Sequence, residues 1–274
     1  MENLPIPEPL HGLEAHATHG RDARATLPRR NIKLVVAYNG AAYHGWQRQV
    51  AGVDTVQERL EAAVVRVVRH PVAVFGAGRT DAGVHAEGQV ANFYTTNFAV
   101  PLAGLRRAIN SRLPHDIVVR SAAEEPETFH ASRSAVGKTY RYRLHVAPQR
   151  CVARHMQVYH FDRPLDVRLM RAGAVRLLGT HDFRGFATSA EVRENTVRTV
   201  FRCDVSEHDD EVHVTVQGNG FLYHMVRNIV GTLVEIGRGK WQADHVDRVL
   251  ATRDRNHAGP TAPAQGLSLL CVHY

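Results

Sequence analysis

The chain has 274 residues, 34 of them lysine or arginine against 27 acids, for a formal charge of +7. That length fits one large domain or two of ordinary size. No apolar run approaches the roughly 18 residues of a membrane span, and three cysteines without C-x-x-C spacing argue against a disulfide framework or a zinc knuckle, so the expectation is a soluble, unexported, cytoplasmic protein.

Residues 1–30 carry four prolines and two glycines with little apolar periodicity, which predicts a mobile extension. IKLVVAY (32–38) reads as a strand, NG (39–40) as a turn, and AYHGWQRQ (42–49) as a loop rich in aromatic and polar groups. TVQERLEAAVVRVVRH (55–70) has capping-box spacing between Thr55 and Glu58 and an apolar face of Val56, Leu60, Ala63, Val64, Val67 and Val68, so a helix is predicted. Strands follow at VAVF (72–75) and GQVANFYTT (88–96), joined by the glycine-rich loop GAGRTDAGVHA (76–86). A helix is expected over 102–113, stopped by Pro114, then a strand at 116–122.

KTYRYRLHV (138–146) alternates, with Tyr140, Tyr142, Leu144 and Val146 on one face and Thr139, Arg141, Arg143 and His145 on the other. Beyond it come a helix at 166–178, a hairpin of 197–206 and 211–218 across a DD turn, an apolar helix at 221–239, a short helix at 243–252 and a strand at 266–274. Strands and helices mix without strict βαβ alternation, so the fold class is α+β with largely antiparallel sheet. The expected organisation is an extension (1–30), an N-terminal half with the Asp loop (31–147) and a C-terminal half (148–274).

The positive charge suits a polyanionic partner. Of the 34 basic residues 31 are arginine, whose planar fork fits phosphate and stacks on bases; a genomic codon bias explains the same composition equally well. The 18 histidines are scattered and show no H-E-x-x-H spacing, so no metal is expected.

In GAGRTDAGVHA the glycines permit close approach to Asp81. An Arg79–Asp81 pair would keep that carboxylate ionised, fit to act as nucleophile or charge stabiliser. On spacing alone an ordinary turn is the better reading. The loop offers no second acid of the kind a glycosidase uses. Tyr140 has a ring to stack on a base and a phenol to exchange protons, or it is a core residue beside Leu144. Arg227 lies inside an apolar helix and needs a partner, for which Asp81 is a candidate.

GAGRTDAGVHAEGQVANF (76–93) resembles the signature of the tRNA pseudouridine synthase A family, which isomerises uridines 38–40 in the anticodon arm. YNGAAYHGWQRQ (38–49), TVQERLE (55–61), LPHDIVV (113–119), FHASRSAVGKTYRYRL (129–144), GTHDFRGF (179–186), FLYHMVRNIVGTLVEIGRGK (221–240) and AGPTAPAQGLSLLCVHY (258–274) agree in order and spacing. The resemblance covers about 31–274. It implies that Asp81 is the nucleophile, that Arg79 pairs with and orients it, that Tyr140 stacks on the uracil and assists proton removal from C5, and that Arg227 reaches the aspartate. It further implies two α/β halves around a central basic cleft, a homodimer, tRNA as partner, and no cofactor or metal. Arg48, His85, Gln89, Arg106, Arg107, Arg141, Arg143 and Lys240 are candidate RNA contacts. Asn92 departs from the histidine of many members, and Asn195-Thr196 from a common Ser-Pro. Two readings of other classes compete: a non-catalytic tRNA-binding protein, and a nucleoside or RNA glycosidase.

Overall fold

A computed structural model describes residues 28–274; most of the expected N-terminal extension, residues 1–27, lies outside the described residues. The chain opens with β1 (Arg30–Tyr38), two residues earlier than the apolar run because Arg30 and Asn31 also pair with β3 (His85–Thr95). Helix α1 (Val56–Val68) is capped as its sequence predicts, the Thr55 hydroxyl accepting from Glu58 N. Five of its thirteen residues are valine, each roughly half a kcal/mol poorer than alanine in a helix. Burial decides the outcome: a buried valine or leucine contributes roughly 1.5–3 kcal/mol, and Val56, Leu60, Val64, Val67 and Val68 are all buried.

The expected 72–75 strand shrinks to β2 (Phe75–Gly76), paired with β3. Side chains of α1 take the place of a sheet partner, Gln57 Nε2 donating to Val74 O and Val74 N donating to Glu61 Oε1. Helix α2 (Leu102–Asn110) ends three residues early, its last side chain spent on both backbone groups of Val119 in β4 (Ile117–Glu125). Beyond β5 (Gly137–Val146) and the short β6 (Tyr159–Phe161), helix α3 (Val167–Val175) is capped by Asp166. Then come β7 (Gly179–Asp182), the hairpin of β8 (Val197–His208) and β9 (Glu211–Gly218), helices α4 (Met225–Gly237) and α5 (His245–Thr252), and β10 (Leu267–His273).

All the strands join one ten-stranded sheet with the path β4-β1-β3-β10-β5-β9-β8-β7, β2 and β6 lying off it. Among the described residues only the β3–β10 and β5–β6 pairs are parallel, in keeping with the antiparallel α+β expectation. The placement of β10 has no local sequence signature. This strand from the C-terminal end lies between β3 and β5, pairing Leu269 with Ala86 on one side and with Tyr140 on the other. No helix is long and apolar enough to cross a membrane among the described residues.

Candidate active site

The loop between β2 and β3 is held at nearly every residue. Ala77 N donates to Val90 O, Gln89 Nε2 to Gly78 O and Trp46 N to Thr80 O, while the Tyr38 and Thr80 hydroxyls share a 2.8 Å hydrogen bond. A turn closes with Val84 N donating to Asp81 O, and Gly83 supplies its positive φ of 78°. Gly45, at φ 89°, lets the 42–49 segment lie against the loop: a Cβ there would come 2.5 Å from Thr80 O. The glycines therefore serve packing, and Asp81 sits on a fixed scaffold.

Asp81 is a quarter exposed and faces a cleft of about 840 Å³, a size usual for ligand sites. Its Oδ2 lies 3.4 Å from Arg227 Nη1 and 3.4 Å from His224 Nε2. No hydrogen bond reaches Oδ1 among the described residues. Arg227 is fixed from behind, Nε donating to Ala262 O at 2.7 Å while its own carbonyl accepts from Ala262 N. Burial lowers the His224 pKa, with Arg227 and Arg255 acting the same way and Asp81 opposing them.

The Arg79–Asp81 pair is not formed. Arg79 lines the cleft with its side chain in solvent and enters no ion pair among the described residues. The reason lies in distant chain: Arg227, rooted in the buried face of α4, already occupies the carboxylate, whereas an exposed guanidinium gains as much from water as from a neighbouring acid.

Tyr140 is 8 % exposed, so it belongs to the core and also lines the cleft. Its ring meets Phe221 edge-on at 5.3 Å, and burial, with Tyr38 and Asp81 adding to it, raises its pKa strongly. The phenol is therefore neutral at physiological pH, and it accepts a proton only after releasing its own.

The other expected contacts do not line the cleft. Arg48 pairs with Glu61, Arg143 with Glu211, and Lys240 with Glu235. Arg141 is on the strand face opposite Tyr140, and Arg106 and Arg107 are exposed on α2. His85 is a structural link: its Nδ1 accepts from Gly40 N, leaving Nε2–H to meet Gln265 O. Gln89 lies beneath the loop it supports. These side chains already have protein partners or face elsewhere, which charge and residue type alone do not reveal. Asn92, the departure from histidine, is buried and bridges Asn31 Oδ1 and Ala131 N.

Three cleft residues escaped the sequence reading. His224 stands one turn before Arg227 in FLYHMVRN, a spacing that places both near one point. Lys138 precedes Tyr140 by two on the same strand face, with its ammonium over Gly78. Glu191 binds Arg193 through both oxygens and also accepts from Tyr223 N. The Arg193 hydrogen bonds hold its carboxyl at about 2.

The family model described as "tRNA pseudouridine synthase" matches residues 34–133 and 174–274, nearly three-quarters of the chain. The chain belongs to this family. Among its relatives, "tRNA pseudouridine synthase A" of Acetivibrio thermocellus is 42 % identical over 89 % of this chain and 100 % of its own length. The protein of the same name from Brevibacillus brevis is 45 % identical with the same coverage, and that from Acinetobacter baumannii 41 % over 87 % and 90 %. Asp81, His224 and Arg227 fall within the matched residues of the family model, and Lys138 and Tyr140 fall between its two stretches.

Proposed function

We propose that the protein isomerises uridine to pseudouridine in tRNA, at positions 38–40 of the anticodon arm, with Asp81 as nucleophile. The observation that carries this is the Asp81 carboxylate at a cleft wall, its Oδ2 facing two basic side chains and its Oδ1 without a hydrogen-bond partner among the described residues. In the isomerisation the N1–C1′ bond breaks, the uracil turns, C5 bonds to C1′, and the C5 proton is released while N1 gains one. The electron pair that leaves with N1 returns through C5, so no oxidant or reductant enters.

Family membership and the Asp81 carboxylate facing Arg227 and His224 support catalysis over passive tRNA binding. Against a glycosidase stands Glu191, the other carboxylate lining the cleft. A general acid must hold its proton near neutral pH, whereas Glu191 gives it up at about 2. Tyr140 lines the cleft where the flipped uracil would stack on it, offsetting the few kcal/mol of unstacking. Arg79 and Lys138, which line the cleft without carboxylate partners among the described residues, suit the phosphates beside the target. Cytoplasmic location and a homodimer belong to the same reading, the latter checked by sedimentation equilibrium.

The test uses unmodified tRNA labelled with tritium at uridine C5. Asp81→Asn should abolish tritium release while tRNA affinity stays within about threefold; turnover by this variant would remove Asp81 from its role. Wild-type protein should leave carbodiimide-resistant uridine at 38–40 and no free uracil. Free uracil would establish the glycosidase instead.

A further inference from the structure

His224 has a backbone that its position does not call for. Among the described residues four non-glycine residues have positive φ: Arg69, Asp209, His224 and Arg253. Arg69 and Arg253 terminate α1 and α5, and Asp209 is in the β8–β9 turn, where left-handed backbone is ordinary. His224 instead precedes a helix, at φ 61° and ψ 4°. Among the described residues none of the other four α-helices begins on a left-handed residue. A left-handed residue other than glycine costs about 1 kcal/mol or more, and His224 gives no side-chain cap in return.

What the conformation achieves is the placement of Nε2 at 3.4 Å from Asp81 Oδ2. The surrounding contacts hold it there. Tyr223 packs against the imidazole, the ring centres 4.0 Å apart and the planes tilted by 37°. Tyr223 is itself clamped by its N–H to Glu191 and its carbonyl to Thr188 N. His224 O accepts the first-turn bond from Asn228 N. Local strain maintained by such a set of contacts is found where it serves a site.

We propose that His224 is a positioning residue which, with Arg227, holds Oδ2 of Asp81 and turns Oδ1 toward the substrate. This rests on Asp81 being the nucleophile. The charged groups facing the imidazole are Asp81 from the loop, Arg227 from α4 and Arg255 from the 255–257 turn. Neutral His224 steers the carboxylate through one N–H. Protonated His224 forms a full ion pair, so that two cations withdraw charge from Asp81 and weaken it as a nucleophile. The rate therefore falls as pH drops through the His224 pKa, which burial keeps below that of free histidine.

Single-turnover rates across pH on saturating tRNA test this. His224→Ala should lose 10- to 100-fold in rate with tRNA affinity within twofold. His224→Gln, which keeps a donor and cannot charge, should recover at least tenfold over alanine and move the acid limb at least half a pH unit lower. His224→Asn, better suited to left-handed backbone, replaces it if the glutamine variant melts early. An acid limb unmoved in an active Gln or Asn variant would overturn the proposal while leaving Asp81 in place. Independently of turnover, NMR titration of the His224 ring should give a lower pKa in Asp81→Asn, which lacks the attracting carboxylate; an unchanged value would also overturn it. Tritium release by Asp81→Asn is the separate result that removes the nucleophile reading.

Discussion

Arg227 and Arg79 show how far residue type falls short of residue role. Both are arginines near Asp81, yet one is 14 % exposed and pinned by Ala262 while the other is solvent-exposed at the cleft. Loss of a preorganised cation at a reacting centre costs about 10²–10³ in rate. Arg227→Gln should fall by that factor in single-turnover assays with little change in affinity. Arg79→Ala should instead weaken tRNA binding and reduce the slope of log K against log salt by about 1, the signature of one lost phosphate contact. GAGRTDAGVHA made Asp81 legible through the family it resembles, and Arg227 through its misfit in an apolar helix. The absent Arg79–Asp81 pair was not legible, because the competitor for that carboxylate arrives from 146 residues away.

Elements with strong local signals were read nearly to the residue. The Thr55 cap and the apolar face specify α1, and alternation specifies β5. Where side chains replace a sheet partner, as Gln57 and Glu61 do for Val74, the pattern of apolar residues overstates the strand. The start of α4 was misplaced for a related reason: the left-handed backbone of His224 shifts it from 221 to 225. Polar clusters between elements were equally hidden. Glu211 at the head of β9 receives Arg143 from β5, Arg154 from the connection that follows it, and His213. Burial alone would raise its carboxyl, but hydrogen bonds from Arg143 and His213 and the charges of Arg143 and Arg154 outweigh it and set it at about 2. Because the folded pKa lies below the unfolded one, its contribution is whole above about pH 4.5 and is lost as pH falls toward 2. Glu211→Gln should lose about 2 kcal/mol at pH 7 by urea unfolding, from unpairing two half-buried arginines. Its stability should also vary less than wild type between pH 4.5 and 2.

At the scale of the molecule the site depends on parts far apart in the chain. The 258–262 segment lies on α4 where glycines face each other: a Cβ at Gly259 would come 2.5 Å from Gly231 C, and a methyl on Gly231 would overlap Pro260 O. That close approach brings Ala262 O to Arg227. Gly231→Ala should therefore destabilise the fold by about 2 kcal/mol of overpacking, read as a lower melting temperature, and also slow turnover in protein that remains folded. Sheet order was the least legible property, since β10 pairs with strands of the N-terminal half through backbone groups that any strand offers.

The position of β10 also orders events during synthesis. Asp81 emerges early, but its lock on Arg227 needs Ala262, and the strand joining β3 to β5 needs Leu269. At about 5–20 residues per second, the ribosome takes roughly 10–40 seconds to travel from the aspartate to that strand. A nascent chain on the ribosome thus carries Asp81 long before it carries the finished cleft, which is complete only once β10 has emerged and paired.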